Sequence, residues 1–128
     1  MAKQVLQIID QAYRCTIEEQ DDPVVWITHA MKGAGGDFGL LLRGSAVNYA
    51  VKGQDAAGLR FGDKKQSQPP KLETDVAKLV GKGVPVYVVE DDAIDRGIEP
   101  SDLIEGIKPV ARGGMAKLLG EYDEIWHW

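Results

Sequence analysis

The stretch Val84–Ile98, VPVYVVEDDAIDRGI, passes from an apolar strand directly into the acids Glu90, Asp91, Asp92 and Asp95. Carboxylates gathered at a strand end can bind Mg²⁺, receive a phosphoryl group or exchange protons. The same residues can begin a helix, because Asp91 or Asp92 could accept from its free N–H groups and favour its positive dipole end. A metal site usually gathers ligands from several strand ends, and no acid follows the second strand to join them. The sequence therefore favours helix capping, and no metal is expected.

Cys15 is the one candidate nucleophile. It falls just beyond the first strand beside Arg14, which favours a thiolate, while Glu18 and Glu19 oppose one. A sulfur-carrying thiol and an idle packed thiol are both open. Arg43, Ser45, Asp91, Asp92 and Arg96 also fall at strand ends, the edge where ligands bind in open parallel sheets. His29 and His127 have no partner nearby in sequence and read as structural or surface residues. Trp126 and Trp128 flank His127 in the final strand, which suits a subunit contact as well as core packing.

Other chemistries lack their parts. GAGGDFG (Gly33–Gly39) precedes a strand, so its amides would not open a helix onto a phosphate. No GK[ST] element exists. A phosphoacceptor receiver needs an acidic pair after the first strand, yet only Asp10 follows it, and EIWHW leaves no lysine after the last. No cofactor is called for.

A chain of 128 residues suffices for one domain, taken as 1–128, with a real core. The formal net charge of −5, without a basic run, argues against direct nucleic-acid binding. A single cysteine excludes an internal disulfide. Neither a signal peptide nor a membrane span is evident, so a cytoplasmic location is expected.

Local patterns then supply the elements. KQVLQII (Lys3–Ile9) reads as the first strand, followed by a polar loop or helical turn over Asp10–Gln20. Val24–Thr28 has strand propensity, but Asp22 as cap, Pro23 at the first position and Gly33 past the end predict a helix over Pro23–Lys32. Phe38–Gly44 is the second strand, and Ser45 caps a short helix to Gln54 that places Ala46, Tyr49 and Ala50 on one face. Gly58–Phe61 suits a short edge strand and Gly62–Pro70 an exposed loop. Leu72, Val76, Leu79 and Val80 mark a helix. Val84–Val89 is apolar throughout, as in a strand covered on both faces. A helical turn over Asp92–Arg96, a short helix over Ser101–Gly106, a strand over Ile107–Ala111, a helix from Arg112 and a strand over Glu124–Trp128 complete the chain. This alternation predicts an α/β single-domain three-layer sandwich with a mainly parallel sheet of about five strands.

LLLRGSAVNYAVKG (Leu40–Gly53), VYVVEDDAIDRGI (Val86–Ile98) and LLGEYDEIWHW (Leu118–Trp128) occur in an order that resembles the DsrE/DsrF/DsrH superfamily, nearest its DsrH/TusB branch. The resemblance implies a cytoplasmic persulfide carrier or its assembly partner, in tRNA thiolation or sulfur oxidation. It implies trimers or hexamers of one chain, or heteromers with DsrE/DsrF-like subunits, and a sulfur-carrier protein as partner. DsrE/TusD-type members carry their active cysteine after the strand matching Val84–Val89, where this chain has Glu90-Asp91-Asp92. That departure points to a docking subunit. The alternatives are a sulfurtransferase using a Cys15 persulfide, or a small-molecule or metal-binding domain using Glu90–Asp92.

Overall fold

The computed structural model describes residues 3–14, 18 and 21–128; Cys15 lies outside the described residues. In chain order the elements are β1 (Gln4–Ile9), α1 (Pro23–Gly33), β2 (Asp37–Leu42), a 3₁₀ helix (Gly44–Ala50), β3 (Arg60–Phe61), β4 (Lys64–Lys65), α2 (Leu72–Gly81) and β5 (Val86–Val89). There follow α3 (Glu90–Asp95), a 3₁₀ turn (Pro100–Asp102), β6 (Lys108–Val110), a 3₁₀ turn (Arg112–Gly114), α4 (Met115–Gly120) and β7 (Glu124–His127). Five strands form one sheet in the order β6-β5-β2-β1-β7, and each neighbouring pair is parallel. The α/β sandwich expected from the alternating pattern is therefore the observed architecture. Among the described residues no helix is long and apolar enough to cross a membrane.

Side chains alternate across a strand, so each central strand feeds two cores. Ile9, Leu40, Leu42, Val86 and Val88 pack with residues of α1, the Gly44–Ala50 helix and α2. Leu6, Ile8, Leu41 and Val89 pack on the other face against Leu118 of α4, with Met115, Leu119 and Tyr122 partly buried there. Gly39 supplies the slot for Tyr122: a Cβ at that position would collide with the phenol oxygen. Burial raises the Tyr122 pKa above its ordinary value, and a hydrogen bond with Tyr87 adds to the rise.

Several local expectations need correction. The segment after β2 is a 3₁₀ helix that ends at Ala50 and has no side-chain cap. Its i, i+3 repeat stacks Ala46 on Tyr49 and Val47 on Ala50, and all four are buried. Gln54 stops it by donating to the carbonyls of Asn48 and Val51, at 2.6 and 2.9 Å. The Ser45 hydroxyl, expected as the cap, instead donates to the Asp10 carbonyl (3.1 Å) and accepts from the Ala12 N–H (3.2 Å). Arg60–Phe61 is not an edge of the main sheet but pairs with Lys64–Lys65 in a separate ribbon. Only one 3₁₀ turn forms near Ser101, because Leu103 leaves it to bridge Val51. Gly33 lies inside α1, whose C-cap is Ala34.

The start of α1 follows the sequence reading. Asp22 accepts from the N–H groups of Val24 and Val25 at 2.9 and 3.0 Å, and Pro23 occupies the first turn, where its missing N–H costs nothing. Asp22 is also buried, and its second oxygen accepts from the Tyr49 hydroxyl at 2.7 Å. Tyr49 in turn accepts from the Arg14 N–H at 3.0 Å. One carboxylate thus ties α1, the 3₁₀ helix and the chain after β1. Asp22→Ala removes the cap and takes away the carboxylate to which the Tyr49 hydroxyl donates, so we expect a loss of roughly 2–4 kcal/mol in urea unfolding. An unchanged midpoint would show that this tie carries no stability.

Candidate functional site

Strand register decides which residues meet at the carboxyl edge of the sheet. Ile9 pairs with Leu42, so the next residues, Asp10 and Arg43, emerge side by side. Ile8 pairs with His127, which places the imidazole on the same face as Asp10, two residues on. Leu42 pairs with Val88, bringing Gly44 level with the start of α3. Val89 pairs with Val110, bringing Arg112 level with Asp91.

The side chains use this alignment. Arg43 engages the Asp10 carboxylate with both arms of its fork, Nε on Oδ1 and Nη2 on Oδ2, the second at 3.3 Å. His127 Nε2 contacts Asp10 Oδ2 and lies 3.2 Å from Arg43 Nη2. An ionised carboxylate only accepts, so Nε2 carries the proton that it donates to Asp10. Next along the edge, Asp92 Oδ2 accepts from the Gly44 N–H at 2.8 Å and Oδ1 from Arg112 Nη2 at 2.6 Å. Asp91 Oδ1 accepts from the Arg112 N–H at 2.7 Å. The result is a run of ionic and polar side chains, His127–Asp10–Arg43 and then Asp92–Arg112, that crosses all five strand ends in sheet order.

These contacts correct the capping role expected for the acids. Helix α3 starts at Glu90 with Val89 as its N-cap and no side-chain cap bond. With no linker after β5, Glu90, Asp91 and Asp92 fall inside the first turn. They keep the favourable dipole position, but Asp91 and Asp92 reach across to Arg112 and Gly44. Arg96 closes the other end of α3, donating to the Asp92 carbonyl at 3.1 Å.

His127, expected to be isolated, joins Asp10 from 117 residues away. His29 also has partners, since its Nε2 lies 2.8 Å from the Asp75 carbonyl and its Nδ1 3.0 Å from Lys82 Nζ. Trp126 packs edge-on against Phe38 with 5.5 Å between ring centroids. Trp128 is 45% exposed and donates its indole N–H to buried Gln7 at 2.9 Å. Arg112 and the pairing role of Asp10 were missed from sequence. The available signal was position, since Asp10 directly follows β1 as Arg43 directly follows β2.

An aspartate orienting an imidazole is the supporting half of a nucleophilic triad. The Ser45 hydroxyl does not complete it, because it bonds backbone groups of Asp10 and Ala12. Nor do three or more His, Cys, Asp or Glu among the described residues group as metal ligands. What this arrangement does is tie neighbouring strand ends and the loops beyond them.

For Asp10 and Asp92, burial alone would raise the carboxyl pKa. Arg43 and His127 outweigh it at Asp10, and the Gly44 N–H and Arg112 outweigh it at Asp92, so both are held below the usual aspartate range. A pKa lower in the folded than in the unfolded chain adds stability above the unfolded value, lost as pH falls through the folded one. Asp92→Asn should therefore destabilise the protein near neutrality, with the difference from wild type shrinking once pH falls below about 3.9. Denaturant titrations at several pH values would check this, and a difference independent of pH would contradict it.

No protein-family model matches the chain, and no curated protein matches it in sequence. Its fold is nevertheless that of solved structures. The ychN protein from E. coli is similar with a TM-score of 0.75 at 17% identity, covering 98% of this chain and 99% of that one. MTH1491, a protein of unknown function from Methanobacterium thermoautotrophicum, is similar with a TM-score of 0.60 at 15% identity, covering 98% and 99%. At such identities the likeness is one of architecture alone.

Proposed function

We propose that this chain is an assembly or docking subunit of an intracellular sulfur-relay complex of the DsrEFH/TusBCD kind, and not its sulfur-accepting subunit. One observation carries the reading. The position after β5, where cysteine-bearing members of the resembled superfamily hold their sulfur, is occupied by Glu90-Asp91-Asp92. Asp91 and Asp92 there accept hydrogen bonds from Arg112 and Gly44, so this position is braced and holds carboxylates in place of a thiol. The architecture shared with the ychN protein and the ordered sequence stretches that resemble the superfamily support the same assignment. On this reading the partners are further copies of the chain or DsrE/DsrF-like subunits, together with a sulfur-carrier protein. Arg43, Ser45, Asp91, Asp92 and Arg96 shape the edge that a partner meets, and Trp126 and Trp128 belong to a subunit contact.

The test is to mix the protein with a cysteine-bearing DsrE-like subunit charged with persulfide, and to record native and intact masses together. The expected result is a stable complex in which the sulfur stays on the partner. Sulfur arriving on this chain, and lost in Cys15→Ser, would make it a sulfurtransferase in its own right. A protein that stays monomeric and binds no such subunit would contradict the docking role.

A further inference from the structure

Two surfaces of this chain complement each other. The first is a pocket of about 180 Å³ on the β6 side of the sheet, lined by buried Val88 and Ala93 and half-buried Ile98 and Leu103. Ile94 also lines it while remaining 64% exposed. Exposed Glu90 and Glu99 also line it, and among the described residues neither enters an ion pair. The second surface is the β3–β4 ribbon. Phe61 stands 61% exposed on it beside exposed Arg60, Lys64 and Lys65, which also enter no ion pair among the described residues. The ribbon shares no strand pairing with the main sheet, and an isolated two-stranded ribbon is marginal without packing.

We propose that Phe61 of one copy seats in this pocket of a second copy, with Arg60, Lys64 and Lys65 facing Glu90 and Glu99. Size permits it, since an apolar cavity of about 150 Å³ accommodates a benzene ring. Charge selects it. A chain of net charge −5 repels its own copies in most orientations, whereas the cationic ribbon meeting the acidic pocket is attractive. An aromatic anchor in a pocket beside paired charges is also the composition of an interface hot spot. The contact is heterologous, because the ribbon and the pocket are different patches. It therefore propagates from copy to copy unless the rotation closes a ring. It supplies a self-contact for the assembly proposed above, and it stands whether or not sulfur is carried.

The experiment uses Cys15→Ser as background, with Asp63→Cys at the ribbon tip in one preparation, which leaves Phe61 in place, and Ile94→Cys in another. Both positions are exposed, so both variants should fold. Mixed under mild oxidation, they should give a covalent dimer on a non-reducing gel, faster than either alone. In parallel, Lys64→Glu with Lys65→Glu should weaken self-association by about tenfold or more, and Glu90→Lys with Glu99→Lys should restore it when mixed in. If wild type self-associates but neither the mixed crosslink nor the charge dependence is seen, this contact is wrong and the assembly reading survives. A wild type monomeric at every concentration would overturn the contact and leave only heteromeric assembly.

Discussion

The two-pronged ion pair between Asp10 and Arg43 joins the ends of the central strand β2 and its neighbour β1, and the carboxyl edge is organised around it. In a parallel sheet every strand leaves on the same side, so polar residues that follow strands crowd together there. Here they arrive with alternating sign. Arg43 lies between Asp10 and the loop that reaches Asp92, and Asp92 lies between Gly44 and Arg112. Each carboxylate thus finds donors from a neighbouring strand end, which offsets its partial removal from water.

That arrangement has a functional consequence. Acids at a strand end serve chemistry when they are exposed to a substrate and tuned for proton exchange near neutrality. Asp10 and Asp92 are driven the other way, held ionised and engaged by cations and a main-chain N–H. Asp92 is also mostly covered, its side chain 17% exposed. The edge is suited to holding a surface in shape, which is what the docking role proposed above requires.

Much of the frame was legible because it depends on local patterns. The uninterrupted apolar runs gave the central strands, and Asp22-Pro23 gave the start of α1 against the strand propensity of Val24–Thr28. Features that depend on tertiary context were not legible. The 3₁₀ form of Gly44–Ala50 follows from burying four side chains at i, i+3 spacing under α2 and the sheet. The partners of Asp92 lie 48 and 20 residues away at Gly44 and Arg112, so no local rule distinguishes it from an ordinary helix cap. Only the register of the parallel sheet brings those ends to one level.

The most direct test of the central claim, that the strand-end charges brace the edge, is a double-mutant cycle in urea unfolding with Asp10→Asn and Arg43→Gln. The account predicts that the two substitutions are non-additive, with a coupling of about 0.5 kcal/mol or more at neutral pH. Additive effects would contradict it, and would mean that the charges merely share an edge.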